Sequence, residues 1–312
     1  MRLIVNPAAG RGAGRRALAR LRELAGGKRI QLTVSESPAE LVSQARRAAE
    51  EDEDRLLVAG GDGTFHLAIQ GLAGSECALG MIPLGTGNDL PAIVGAPRDL
   101  AAAFEVACEG STCKIDLGSV RCFQVGNDTS PGVLPGPPVA SGAVPFAIYC
   151  GVGFDGEVTL RARRIRRLRG PLTYALATLA TLTRFVPPRL TIEHDGGVFT
   201  GEAMFAIAAN GERFGGGMRI APGARVDDGL LDLVIVERVS KTAFLRIFPS
   251  VYRGGHLSHP AVRHLRSRRV RLTAERPTPL TADGEPLGEV GNRTALDLAL
   301  APASLRVVGA PL

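Results

Sequence analysis

Tryptophan is absent from this chain, and aromatic residues make up only 4% of it. That scarcity argues against the stacking platforms that hold single-stranded nucleic acid. No RNP motif, zinc-finger spacing or helix-turn-helix signature offers another way to read bases. Cysteine is sparse too: Cys77, Cys108, Cys113, Cys122 and Cys150 are odd in number and form neither a CxxC pair nor a Cys/His zinc spacing. They read as reduced thiols of a cytosolic protein. Long apolar runs are also missing. Pro171 to Thr183 is the longest candidate span and falls well short of the ~20 residues a transmembrane helix needs. Met1-Arg2 leads into a brief strand and not into a secretory signal, so a cytoplasmic location is expected.

What is present is a chain of 312 residues, long enough that two domains are the expectation. Up to about residue 115, short apolar strands alternate with amphipathic helices. The helices are expected at Ala13 to Leu24, Ala39 to Ala49, Phe65 to Leu72 and Leu100 to Glu109. The strands between them begin at Leu3, Ile30, Arg55 and Ala78. This order predicts a parallel sheet covered on both faces. After Lys114 the strands crowd together, at Val120 to Val125, Val144 to Cys150, Leu190 to His194, Phe199 to Ala208, Leu231 to Val236 and Val270 to Thr273. One long helix is expected near 156–184 and another over Lys241 to Tyr252, and the whole reads as an antiparallel sandwich. Gly126 to Pro145, rich in Gly, Pro and Ser, reads as a connecting loop.

Three glycine-rich segments follow strands of the first half. Asn6-Pro7-Ala8-Ala9-Gly10-Arg11-Gly12 follows Leu3 to Val5, Gly60-Gly61-Asp62-Gly63-Thr64 follows Arg55 to Ala59, and Pro83-Leu84-Gly85-Thr86-Gly87-Asn88-Asp89 follows Ala78 to Ile82. Open α/β sheets bind ligands at the carboxyl ends of their strands. Adjacent glycines let backbone N–H groups approach a polyphosphate, Asp62 suits Mg²⁺ or its water, and Thr64 adds a hydroxyl where a helix begins. The pattern points to ATP.

In this order and spacing the motifs resemble the diacylglycerol kinase catalytic family, whose relatives include sphingosine and ceramide kinases. Ile115-Asp116-Leu117-Gly118, Gly151-Val152-Gly153-Phe154-Asp155, Asn210-Gly211, Asp227 to Asp232, Gly255-His256 with His259-Pro260, and Asp283-Gly284-Glu285-Pro286 extend the likeness. The resemblance implies a nucleotide-binding α/β domain at 1–118 with 292–312, and a β-rich lipid-substrate domain at 119–291. It implies ATP contacts at Asn6, Gly10, Thr33, Gly60, Gly61, Asp62, Gly63, Thr64 and Thr86. Mg²⁺ is expected at Asp62 and Asp116. A second, structural cation is expected on the Asp228 carboxylate and the carbonyls of Arg225 and Leu230. The Asp283-Gly284-Glu285 turn is expected to supply the general base, from either Asp283 or Glu285.

The chain departs from the family after Thr64, where His66-Leu67 replaces an Asn-Glu pair. This keeps a nucleotide-dependent lipid-binding protein with weak or no turnover as an alternative, beside an NAD kinase-like enzyme. Arg161, Arg163, Arg164, Arg166, Arg167 and Arg169 are denser than a solvated helix face requires, and the formal charge is +6. Each basic group near an anionic bilayer contributes about 1 kcal/mol, so peripheral membrane contact is expected. Arg263, Arg266, Arg268, Arg269 and Arg271 form a second cluster that either widens this patch or decorates a sheet. A membrane lipid is the expected partner and nucleic acid is not. Oligomeric state, a homodimer included, is left open.

Overall fold

The computed structural model describes residues 1–124, 143–165 and 171–309, with the side chains of 171–175 left aside. The chain divides into two compact units. The first comprises Met1–Leu117, Arg225–Asp228 and Ala301–Leu312, and the second Gly118–Ala224 and Gly229–Leu300. The return to the first unit therefore starts at Ala301, later than the 292 expected, and a short piece at 225–228 joins it as well. The register explains the later start: the first part of β15 (Thr294–Val308) pairs antiparallel through Ala299 with Arg269, and Val307 lies parallel to Leu79.

In the first unit β1 (Arg2–Val5), β2 (Gln31–Val34), β3 (Arg55–Gly60) and β4 (Ala78–Pro83) lie in the parallel order β2-β1-β3-β4. Their buried residues Leu3, Val5, Leu57, Ala59 and Ile82 form one core with Leu21 and Phe104. The helices are α1 (Ala9–Gly27), α2 (Pro38–Glu50), α3 (Asp62–Leu72), the short α4 (Asp89–Ile93) and α5 (Leu100–Glu109). Ser37 starts α2 by accepting from the Glu40 N–H, with Pro38 next to it, and Asp99 starts α5 by accepting from Ala101 and Ala102. In α1 the regular helix begins only after Gly12, because Gly10, Arg11 and Gly12 all have positive φ. The expected start at Ala13 coincides with that change.

The second unit is antiparallel. It contains β6 (Val144–Phe146), β7 (Tyr149–Gly153), α6 (Phe154–Arg164), α7 (Pro171–Leu182), β8 (Arg189–His194), β9 (Gly197–Ala209), β10 (Leu231–Glu237), α8 (Lys241–Ile247), β11 (Val262–Ser267), β12 (Arg269–Ala274), β13 (Thr278–Ala282) and β14 (Glu285–Val290). β5 (Thr112–Gln124) enters it at Gly118 and pairs with β6. The first half of β9 pairs with β8, and its second half pairs with β7 and β10. One long strand thus serves two sheets, a common way to turn a sandwich corner. Ile192, Ala206, Leu233, Leu272, Leu280 and Leu296 lie in the shared core.

Four sequence expectations change here. The strand Val144 to Cys150 breaks at Ala147-Ile148, whose N–H groups bind the Asp283 carboxylate instead of a neighbouring strand. The long helix at 156–184 is two helices, α6 ending at Arg164 and α7 starting at Pro171, a residue suited to a first turn. The helix from Lys241 ends at Ile247 and passes into 3-10 turns over Phe248–Arg253, where Pro249 lacks an N–H. β11, β13 and β14 add strands where polar and glycine residues obscured the alternation. The loop expected at Gly126 to Pro145 lies outside the described residues up to 142, as do Arg166, Arg167 and Arg169.

Candidate active site

The order β1-β3-β4 sets the three glycine-rich segments side by side at the carboxyl edge of the first unit's sheet, and side chains then lock them together. Asn6 Nδ2 donates to Thr64 Oγ1 (2.9 Å), which also accepts from the Gly61 N–H (3.3 Å). The Leu84 N–H donates to the Gly60 carbonyl (2.6 Å). Gly10, at φ +55, approaches so closely that a Cβ there would meet the Leu84 carbonyl oxygen at 1.9 Å. Gly85 also lies close to Gly61, since a Cβ on Gly85 would sit 2.7 Å from the Gly61 Cα. Only glycine permits this packing.

Asp62 opens α3 and clamps the third segment. Its Oδ2 accepts from the Asn88 N–H (2.8 Å) and its Oδ1 from the Asp89 N–H (2.7 Å). Asn88, held in the left-handed region at φ +55, bonds back to Gly85 N and O. A Cβ on Gly87 would lie 2.6 Å from Asp62 Oδ2 and 3.5 Å from Asp89 Oδ2, so two carboxylates border one small space. Asp89, which closes the third motif, borders this space although sequence reasoning gave it no role. Gly63 lies in the first turn of α3 and Thr86 is exposed at the tip of its loop. The Thr33 hydroxyl donates to Gln44 Oε1 (2.9 Å) on α2.

In the second unit Asp283 and Gly284 form the two-residue turn of the β13–β14 hairpin, with φ +47 and +79, as a type I′ turn requires. The Asp283 carboxylate accepts N–H groups from Ala147 (2.8 Å), Ile148 (2.8 Å) and Tyr149 (3.1 Å). It is buried and holds the turn in place. Glu285, one residue past the glycine, keeps an accessible side chain that meets Arg163 Nη2 at 2.6 Å. The two acids that sequence left equivalent are therefore physically distinct.

Asp116 is 3% exposed, and its Oδ1 accepts the Ala303 N–H (2.7 Å) while its own N–H reaches the Val226 carbonyl. This anchors the returning strand, beside the metal contact expected of the same carboxylate. At the segment expected to hold a structural cation, with Asp228 and Leu230, Arg225 forks onto Asp227 at 3.1 and 3.2 Å and Gly229 turns at φ +74. Among the described residues no group of three or more His, Cys, Asp or Glu side chains is placed to share a metal ion. His66 is buried within α3 and Leu67 is half-buried. In the second arginine cluster Arg263 pairs with Glu237 and Arg271 forks onto Asp297, as residues decorating a sheet do. Burial pushes the Cys77 and Cys108 thiols up to about 11, which suits them to core packing.

Asp155, on the first turn of α6, was visible in sequence only as a motif letter. Its Oδ2 accepts from Thr281 Oγ1 (2.9 Å), and its Oδ1 is buried with no partner among the described residues. Burial pushes its pKa from 3.8 up to about 6, against the opposing pull of the Thr281 and Gly156 hydrogen bonds. The folded state therefore holds this proton more tightly than the unfolded chain. The contribution of this one group is fully present below about pH 4 and is lost, by about 3 kcal/mol, as pH rises to about 6. Asp155→Asn is expected to remove that fall, giving a more stable protein at neutral pH in urea titrations. A wild-type stability that does not decline across this window relative to the variant refutes the assignment.

Residues 1–120 match the family model described as the diacylglycerol kinase catalytic domain, and residues 148–309 match the YegS C-terminal NAD kinase beta sandwich-like domain. The fold and these loops define a kinase, and the chain belongs to the diacylglycerol kinase catalytic-domain family. It is 26% identical over 294 residues to the diacylglycerol kinase of Staphylococcus carnosus (strain TM300), covering 93% of this chain and 89% of that one. It is 34% identical over 221 residues to the diacylglycerol kinase of Mycobacterium tuberculosis (strain ATCC 25618 / H37Rv), covering 70% and 66%. The crystal structure of a diacylglycerol kinase from Bacillus anthracis str. Sterne shares the fold with a TM-score of 0.69 at 21% identity, covering 99% of this chain and 96% of that one. Yeast NADH kinase complexed with NADH shares it more distantly, at 0.51 and 10%, over 98% and 82%. Among the described residues no helix is long and apolar enough to cross a membrane.

Proposed function

We propose that this protein transfers the γ-phosphoryl group of ATP to the hydroxyl of a membrane lipid, with diacylglycerol as the first acceptor to test. The observation that carries this reading is the mutual locking of three glycine-rich loops at one sheet edge. That arrangement gives a polyphosphate backbone N–H groups and the start of α3. Mg²⁺ fits the space bordered by Asp62 and Asp89, because it needs only one or two carboxylates when it also takes phosphate oxygens and water. When bound there it offsets the charge of the transferring phosphoryl group.

The chain's own residues supply the rest. Asn6 and Thr64 hold the first two loops in register, and Asp62 holds the third. Asp116 is a positioning residue that ties down the returning strand. Asp283 fixes the turn, and Glu285 takes the acceptor hydroxyl's proton, with Arg163 steering its carboxylate until substrate arrives. Arg163 and Arg164 face an anionic lipid surface, where peripheral contact brings the enzyme to its substrate.

The test is incubation of purified protein with labelled ATP, Mg²⁺ and a panel of acceptors in anionic micelles, with NAD included. Labelled phosphatidic acid from diacylglycerol is the expected product. Label on NAD supports the NAD kinase alternative, and label on no acceptor, with ATP still bound, supports the lipid-binding alternative.

A further inference from the structure

The described part of α7 is built against the usual order of a surface helix. Leu176 and Leu179 are 45% and 48% exposed, whereas Thr178 and Thr181 are 9% and 0% exposed. Ala177 and Leu182 complete the inward face, and Ala180 and Thr183 continue the outward one. The buried Thr181 hydroxyl is satisfied by Arg161 Nε of α6 (3.0 Å), so the orientation is held by a specific hydrogen bond. Turning the helix by half a turn would bury the remaining exposed half of each leucine, at the expense of that bond. The fold declines this gain. An apolar row facing outward, with polar groups kept inside, fits an apolar medium outside.

Charge around the row narrows what that medium is. Arg163 and Arg164 end α6, which packs on α7 through Arg161 and Thr181, and Arg184 follows the helix; all three are exposed. Leucines bordered by arginines match a bilayer whose acyl region lies beneath anionic headgroups.

We propose that α7 is a membrane-inserting element: Leu176 and Leu179 enter the headgroup–acyl boundary of an anionic bilayer while Arg164 and Arg184 pair with lipid phosphates. The choice of a lipid surface as occupant rests on the lipid-kinase reading. The insertion goes beyond it, because surface charge alone needs no exposed leucines.

Because the chain has no tryptophan, Leu179→Trp introduces a single indole reporter. Vesicles of equal parts phosphatidylglycerol and phosphatidylcholine are expected to shift its emission to the blue. Brominated acyl chains are expected to quench it. Val198→Trp, at another exposed position (64%), is expected to keep water-like emission. The double change Leu176→Gln and Leu179→Gln is expected to weaken vesicle binding at least about tenfold, with an unchanged melting temperature because both side chains are exposed. Vesicle binding without blue shift or quenching overturns the proposal. So does a dimer in sedimentation velocity that the double change dissolves, since a second copy would then cover the leucines. The fluorescence test uses no ATP, so failure to phosphorylate lipid leaves its result standing, and failure to insert leaves the kinase assay standing.

Discussion

Asp62→Asn is expected to lower phosphoryl transfer by ~10²-fold or more, and to do so through two separable effects. The first is electrostatic: a neutral amide offsets less of the charge on a phosphate-bound cation than a carboxylate does. The second is visible in the hydrogen bonds. Both carboxylate oxygens accept backbone N–H groups, from Asn88 and Asp89. An amide supplies one acceptor and sets an NH₂ donor against the other N–H, so the third loop must move. Losing one such bond costs ~1–3 kcal/mol, to be read as a lowered melting temperature even without nucleotide. ATP affinity should fall with it. A folded Asp62→Asn protein with near-normal turnover would sink the assigned role. An activity loss with no change in melting temperature would show that the clamp is dispensable and the charge alone matters.

Glu285→Gln should reduce turnover by ~10²-fold or more, in the range of general-base catalysis, while leaving the fold and ATP affinity in place. Its side chain is accessible and its ion pair with Arg163 is of the exposed kind, worth ~0–1 kcal/mol, so little stability is lost with it. Asp283→Asn should behave differently. Three backbone N–H groups converge on that carboxylate, and an amide leaves at least one of them facing a donor. The expected signature is a loss of ~1–3 kcal/mol in urea unfolding, with activity falling as the turn shifts. Single-turnover rates at saturating ATP, measured beside unfolding curves, separate the two variants. Normal turnover in Glu285→Gln, or a large stability loss from it with none from Asp283→Asn, would reverse the assignment.

Part of this was legible in the linear chain because it depends on neighbours in sequence. Helix starts at Ser37 and Asp99 follow from local capping, and α5 spans the expected Leu100–Glu109. The glycine loops could be recognised one by one because close backbone approach demands glycine whatever surrounds it. Parallel order in the first unit followed from strand-helix alternation. Strands such as β13 and β14 were harder, since Thr278, Pro279 and Gly288 break the apolar period and only pairing partners decide their state.

The chemistry of the acids was settled at longer range. Asp283 differs from Glu285 because Ala147, 136 residues away in sequence, donates its N–H to one and not the other. Asp116 became a strand anchor when Ala303 returned to it, and Asp155 became a reluctant anion when the second unit closed over it. The outward face of α7 was set by a hydrogen bond to Thr181 from another helix. Sequence by itself determined which glycine backbones, carboxylates and arginines this protein can offer, because backbone approach and side-chain chemistry are local. Tertiary structure alone decided which of those groups are spent on holding the fold and which stay available, because desolvation and hydrogen-bond partners come from residues far along the chain.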